Sequence, residues 1–228
     1  MSNKYLIIIL FSICWMTWQG CSQQQRQRQQ TTAEELPAVQ DVPEGWKSLF
    51  DGKTLNGWEI VRLGGEGEPF VKDGKLILPI TYSGYITGVS WVGDSLPVNN
   101  YAFYFEARRT EGIDFFATLS FPYNDTFASL ILGGWSGIIV GISSIDGWDA
   151  SENETTRRLF LEDKQWYQIE LRVTPDSIRA FIDTQPVIEL STVGKKIHLR
   201  PGTYATSFTF MSYQTTGEIR NIRIKNLP

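Results

Sequence analysis

The sequence predicts an all-β fold, an antiparallel sandwich or barrel, on three observations. Short alternating or wholly apolar runs recur between Gly, Pro, Asn and Asp punctuation. No segment carries a helical period over three turns, and no internal repeat of the kind that builds a propeller is present. Strands without helical partners must bury one face of each sheet against another sheet.

The first element is N-terminal. Lys4 precedes an apolar run over residues 6–15, and Gly20-Cys21 follows at the distance of a cleavage site. Residues 1–20 are therefore expected to be a lipoprotein signal peptide, with Cys21 as the lipidated residue. The run is too short to span a bilayer and lacks a stop-transfer flank. Attachment to the membrane is expected through the N-terminal lipid alone, in the bacterial cell envelope, periplasmic or at the outer surface. Cys14 leaves with the signal, so no thiol remains for a disulfide or a metal. Residues 21–42 are rich in Gln, Arg, Thr, Glu and Pro, the composition of a solvated linker that buries nothing. A net charge of −4 without a basic run in the remainder argues against nucleic acid as a partner.

Fold reasoning starts at residue 43 and covers 43–228. Asp51-Gly52 and Asn56-Gly57 are turn pairs that enclose an expected edge ribbon ending at Trp58. Strands are expected at 75–80, 88–93, 101–109, 115–121, 138–142, 166–174, 178–183 and 218–225. One hairpin is explicit: Ile169, Leu171 and Val173 alternate with Gln168, Glu170 and Arg172, and Pro175-Asp176 turns the chain into Ile178, Ala180 and Ile182.

Several chemistries are excluded at once. With a single histidine, His198, and no cysteine left, the usual transition-metal sets and Ser-His arrangements are unavailable. Gly64-Gly65-Glu66-Gly67 is not followed by a helix, so no phosphate loop or dinucleotide fingerprint is present. Carboxylates remain. Period-two geometry puts Tyr104, Glu106 and Arg108 on one face of 101–109, opposite Phe103, Phe105 and Ala107, either as a groove wall or as a solvated ion pair. Asp114 opens the next expected strand, either beside Arg108 or as a turn residue after Gly112. Residues 143–158 gather Asp146, Asp149, Glu152, Asn153 and Glu154 around Trp148, with Arg157 and Arg158 following. That density fits a calcium loop, a sugar-contacting loop or an exposed acidic loop. Trp91 and Trp135 have glycine neighbours that would expose a ring for stacking.

Residues 49–58, LFDGKTLNGW, resemble the opening of the 3-keto-disaccharide hydrolase family, and 218–227, EIRNIRIKNL, resemble its last strand. The segment WYQIELRVTPDSIRAFIDTQPV is similar to the penultimate hairpin of laminin-G and concanavalin-like domains. The resemblance implies a concanavalin-like jelly roll and a carbohydrate-active hydrolase that cleaves 3-keto or ordinary glycosides. The alternative is a non-catalytic, lectin-like carbohydrate-binding module. In many members a Glu-x-Gln pair precedes an apolar-Asp step; aligned on Asp146, Gly141 and Ser143 stand at those positions. A ketone at C3 acidifies the C2 proton, so the implied route needs one base and an enolate stabiliser. Glu106 is expected as base and Arg108 as stabiliser, with Asp114 or Glu154 assisting the leaving group. Tyr104, Trp91, Trp135, Trp148, Asp146, Asp149 and Arg157 are expected to contact the oligosaccharide or glycoside. No cofactor is required, calcium being the alternative.

Lipidation has a direct test. Cys21→Ser should move the protein from the detergent phase to the aqueous phase of a two-phase partition. A wild type already aqueous, with its signal cut elsewhere, would refute the anchor.

Overall fold

The computed structural model describes residues 42–228; the expected signal peptide, Cys21 and the linker up to residue 41 lie outside the described residues. The chain begins with strands β1 (Lys47–Ser48), β2 (Trp58–Ile60), β3 (Phe70–Lys72), β4 (Lys75–Leu78), β5 (Ile86–Trp91), β6 (Tyr101–Gly112), β7 (Thr118–Tyr123) and β8 (Thr126–Gly133). A single turn at Gly134–Gly137 leads into β9 (Ile139–Ser143) and β10 (Arg157–Arg158). The chain closes with β11 (Tyr167–Thr174), β12 (Ser177–Ile182), β13 (Gln185–Ser191), β14 (Thr209–Tyr213) and β15 (Thr215–Asn226). An eight-stranded sheet runs β13-β12-β11-β6-β15-β4-β3 with β1 added on β15, and a seven-stranded sheet runs β10-β9-β8-β7-β14-β5-β2. All pairings are antiparallel, and the two sheets form a jelly-roll sandwich. Among the described residues no helix is long and apolar enough to cross a membrane.

Alternation builds the interface between the sheets. Tyr101, Phe103, Phe105 and Ala107 of β6 are fully buried in the core. Opposite them, Phe208 and Phe210 enter from the start of β14. Phe103 stacks on Phe208 at 4.6 Å and 10°, and Phe105 meets Phe210 edge-on at 4.9 Å. The β11–β12 hairpin has the expected register, Thr174 opposite Ser177 across Pro175-Asp176. Strand β8 escaped the sequence reading because its outer positions are small or apolar too, which erases the period of two.

Two expectations are corrected. Residues 49–58 do not form an edge ribbon. They carry the chain from one sheet to the other, since β1 pairs with β15 and β2 pairs with β5. Asp51 closes the bend by accepting the Lys53 and Thr54 N–H groups at 2.8 and 2.7 Å, and the buried Trp58 indole donates to the Leu49 carbonyl at 2.8 Å. The second correction concerns Asp114. The strand after it pairs with β8 and β14, not with β6. The chain leaves β6 at Gly112, φ +89°, and passes so close to β15 that a Cβ on Gly217 would lie 1.7 Å from the Phe116 carbonyl oxygen. Asp114 sits on this crossing, and Arg108 pairs instead with Glu218 at 2.7 Å.

The outer face of the eight-stranded sheet is closed by charge lying flat on aromatic rings. Glu106 is fully buried, paired with Arg220 at 2.8 Å and accepting from Asn221 Nδ2 at 2.9 Å and the Tyr104 hydroxyl at 3.1 Å. The Trp166 ring lies under both Arg220 and Arg108, at 3.9 and 4.6 Å, and Arg223 covers Tyr104 at 3.9 Å. Burial pushes the Tyr104 hydroxyl well up from its ordinary value, with the Glu106 charge adding to it. Removing one member of a buried pair strands the other charge. Glu106→Ala should therefore lower unfolding free energy by about 3–5 kcal/mol in urea titration; an unchanged midpoint would show the pair to be dispensable.

Candidate functional site

A cavity of about 240 Å³ opens over the outer face of the seven-stranded sheet. Strands β7, β8 and β9 supply its floor through Thr118, Ser129 and Ser143, whose neighbours in sequence point into the core. Thr118 is buried and its Oγ1 has no hydrogen-bond partner among the described residues. One wall is the Phe115–Tyr213 pair, stacked at 5.8 Å and 27°. The charged groups are Asp114, from the crossing after β6, and Asp149 with Arg200.

Each acid is held by a different environment. Asp114 accepts two backbone N–H groups, Phe115 at 2.8 Å and Ser136 at 3.1 Å. Asp149 accepts the Ser143 hydroxyl at 2.6 Å and the Ala150 N–H at 2.8 Å, and its second oxygen meets Arg200 Nη1 at 3.0 Å. Above them stands Trp135, 37 % exposed, on a left-handed turn with φ +50° at Trp135 and +61° at Ser136. Left-handed backbone at non-glycine residues costs roughly 1–2 kcal/mol each. The Ser136-to-Asp114 hydrogen bond ties this strained turn to the cavity wall.

The structure divides the expected site residues between faces. Asp114, Trp135 and Asp149 line one cavity. Tyr104, Glu106 and Arg108 lie on the outer face of the other sheet, so the expected base and enolate stabiliser are separated from them. Enclosure in the ion pair leaves Glu106 no exposed surface with which to meet a substrate proton. Trp91 packs against Trp58 at 5.3 Å and donates to the Asp94 carbonyl. Its glycine neighbourhood draws the ring in, because a Cβ on Gly57 or Gly93 would come within 2.6 or 2.4 Å of the indole.

The acid-rich segment 143–158 is ordered by Asn153, whose Nδ2 donates to the Ile142 and Asp149 carbonyls at 2.8 Å. Its acids diverge. Asp146 accepts the Lys196 N–H at 2.8 Å, and Glu154 pairs with Lys195, which holds its carboxyl below the usual range. Arg157 donates to the Glu154 and Thr156 carbonyls, and Trp148 is 58 % exposed without lining the cavity. Among the described residues no three His, Cys, Asp or Glu side chains converge as a cation requires. Sequence reasoning missed Arg200, Thr118, Ser129, Phe115 and Tyr213. Arg200 lies far along the chain from Asp149, the acid it meets, and the hydroxyl residues carry no sequence signal of their own.

A family model described as 3-keto-alpha-glucoside-1,2-lyase-like domain matches residues 45–225. No curated protein matches the sequence. Solved structures share the fold at low identity. The Crh5 transglycosylase in complex with NAG is 10% identical with a TM-score of 0.56, covering 84% of this chain and 90% of that one. Domain 4 of AbnA, a GH43 extracellular arabinanase from Geobacillus stearothermophilus in complex with arabinotriose, is 15% identical with a TM-score of 0.52, covering 80% and 91%. A protein provisionally described as a glycosyl hydrolase, from Parabacteroides distasonis, is 13% identical with a TM-score of 0.52, covering 81% and 95%.

The turn makes a prediction in which stability and binding separate. Trp135→Gly should leave the melting temperature unchanged or raise it, because glycine accepts the left-handed backbone. The same change should weaken glycoside binding by about two- to tenfold through loss of the ring. A clear drop in melting temperature with unaltered binding would assign Trp135 to packing.

Proposed function

The chain belongs to the 3-keto-alpha-glucoside-1,2-lyase-like family, and on that premise we propose that the cavity over the seven-stranded sheet binds a glycoside carrying a ketone at C3 and cleaves its bond at C1. One observation carries the reading: an exposed indole, two carboxylates and a guanidinium converge on a single cavity floored by small hydroxyl residues. An aromatic ring suits the apolar face of a pyranose, and the charged groups suit its hydroxyls.

In the proposed route Asp114 takes the proton from C2. The C2–H electron pair is held first as the C2–C3 enolate and then forms the C1=C2 double bond. The C1 substituent departs with its bonding pair and takes up a proton from solvent. Water adding across the double bond returns the free 3-keto sugar. Asp114 suits the base because its partners are two backbone N–H groups, whereas Asp149 is occupied by Arg200 and Ser143. Arg200, held in place by Asp149, supplies positive charge for the enolate oxygen. Tethering through Cys21 in the cell envelope belongs to the same proposal.

A carbohydrate-binding module without turnover is the second reading. If Asp146 matches the family's Asp, Gly141 and Ser143 favour it, since they then stand where many family members carry Glu and Gln. Asp114→Asn keeps the shape and removes the base, so turnover of methyl 3-keto-α-glucoside should fall by about two to four orders of magnitude. Calorimetric affinity for the same sugar should stay within a few fold. Turnover at the wild-type rate would remove Asp114 from the mechanism, and a wild type that binds glycosides but cleaves none would establish the binding module.

A further inference from the structure

A second cavity, about 340 Å³ and larger than the first, lies at the edge of the same sheet. The two are separate. Ser120 and Thr209, which stand between them in the sheet, are fully buried, so no open channel joins the cavities along the strands. Beneath the second cavity Glu59 of β2 lies opposite Ser90 of β5, and Val92 follows just beyond β5. Arg62 and Leu63, past the end of β2, make another wall, and Tyr204 and Thr206, from the segment leading into β14, complete it.

Hydrogen bonds hold these walls in place. Glu66 accepts the Leu63 and Gly65 N–H groups at 2.9 and 3.0 Å, and Glu68 Oε2 accepts from Arg62 Nη2 at 3.1 Å. The Gly67 N–H donates to Thr87 Oγ1 at 3.0 Å, which fixes the loop 62–68 to β5.

Tyr204, Val92 and Leu63 are 52 %, 56 % and 46 % exposed, an apolar cluster gathered at one site and left in water. Beside it Glu59 is exposed, and its carboxylate makes no hydrogen bond or ion pair among the described residues. An open aromatic ring next to an unengaged carboxylate suits a pyranose, because the ring covers the C–H face of the sugar and the carboxylate accepts from its hydroxyls. The sign of the charge narrows the class. Arg62 is already paired with Glu66 and Glu68, so Glu59 is in excess and repels uronates, sulfates and phosphates.

We propose that this cavity is a second carbohydrate-binding site, independent of the first, that takes a pyranose unit of an uncharged polysaccharide without chemical change. β2 is the last strand of its sheet, so a chain seated there continues outward without meeting another strand. Holding the protein on a polymer in this way raises the concentration of neighbouring glycosides at the first cavity.

Calorimetry on the full chain carrying Trp135→Gly, which weakens the first cavity, tests the second with cellohexaose, maltohexaose and xylohexaose as probes and hexagalacturonate as their acidic counterpart. At least one uncharged hexamer should bind. Tyr204→Ala and Glu59→Gln should each weaken that binding by about tenfold, and Tyr204→Phe should keep it. Both residues are exposed, so neither change threatens the fold. The second site is overturned if no uncharged hexamer binds, if hexagalacturonate binds equally well, or if affinity is unmoved by both Tyr204→Ala and Glu59→Gln. None of these results touches the first cavity, whose test is turnover of methyl 3-keto-α-glucoside.

Discussion

The stacking of Phe103 on Phe208, with Phe105 against Phe210 beside it, is the contact from which the rest of the molecule follows. These rings fix which residues of β6 and β14 point inward. Period two then dictates the outward ones: Tyr104 and Glu106 on one sheet, Thr209 and Met211 on the other. A slip of one residue in either strand would exchange core for surface along its whole length. The chemistry of both outer faces is thus a consequence of how the two sheets interlock.

The two faces use their outward positions in opposite ways. On the eight-stranded sheet they are long and charged, and they lie down on rings. Arg220 and Arg108 share the Trp166 face, Arg223 covers Tyr104, and Glu106 is sealed beneath. On the seven-stranded sheet they are short. Over Thr118, Ser129 and Ser143 these short side chains leave space, and loops from three parts of the chain supply its walls. The functional contrast is one of side-chain length more than of polarity.

Those walls are placed by unusual backbone. The crossing at Gly112 delivers Asp114 to the cavity, and it needs the absence of a Cβ at Gly217 to pass. The left-handed Trp135–Ser136 turn lifts an indole over the same space and is tied by a hydrogen bond to that aspartate. Non-glycine residues persist in such conformations only where their surroundings over-determine them, and strain of this kind gathers at binding sites.

Period-two alternation, turn pairs and the two family-like ends were enough to read the all-β class, the β11–β12 hairpin and the inner face of β6, because each depends on neighbours in sequence. Asp114, Trp135 and Asp149 were recognisable as candidate residues by type. Their meeting was not, nor was the burial of Glu106. Local pattern is silent on which sheet a strand joins after a crossing, and on which hydroxyls align across strands far apart in the chain. Those facts were decided by the packing of the core rings and by the close passage at Gly217, both of which exist only once the two sheets are together.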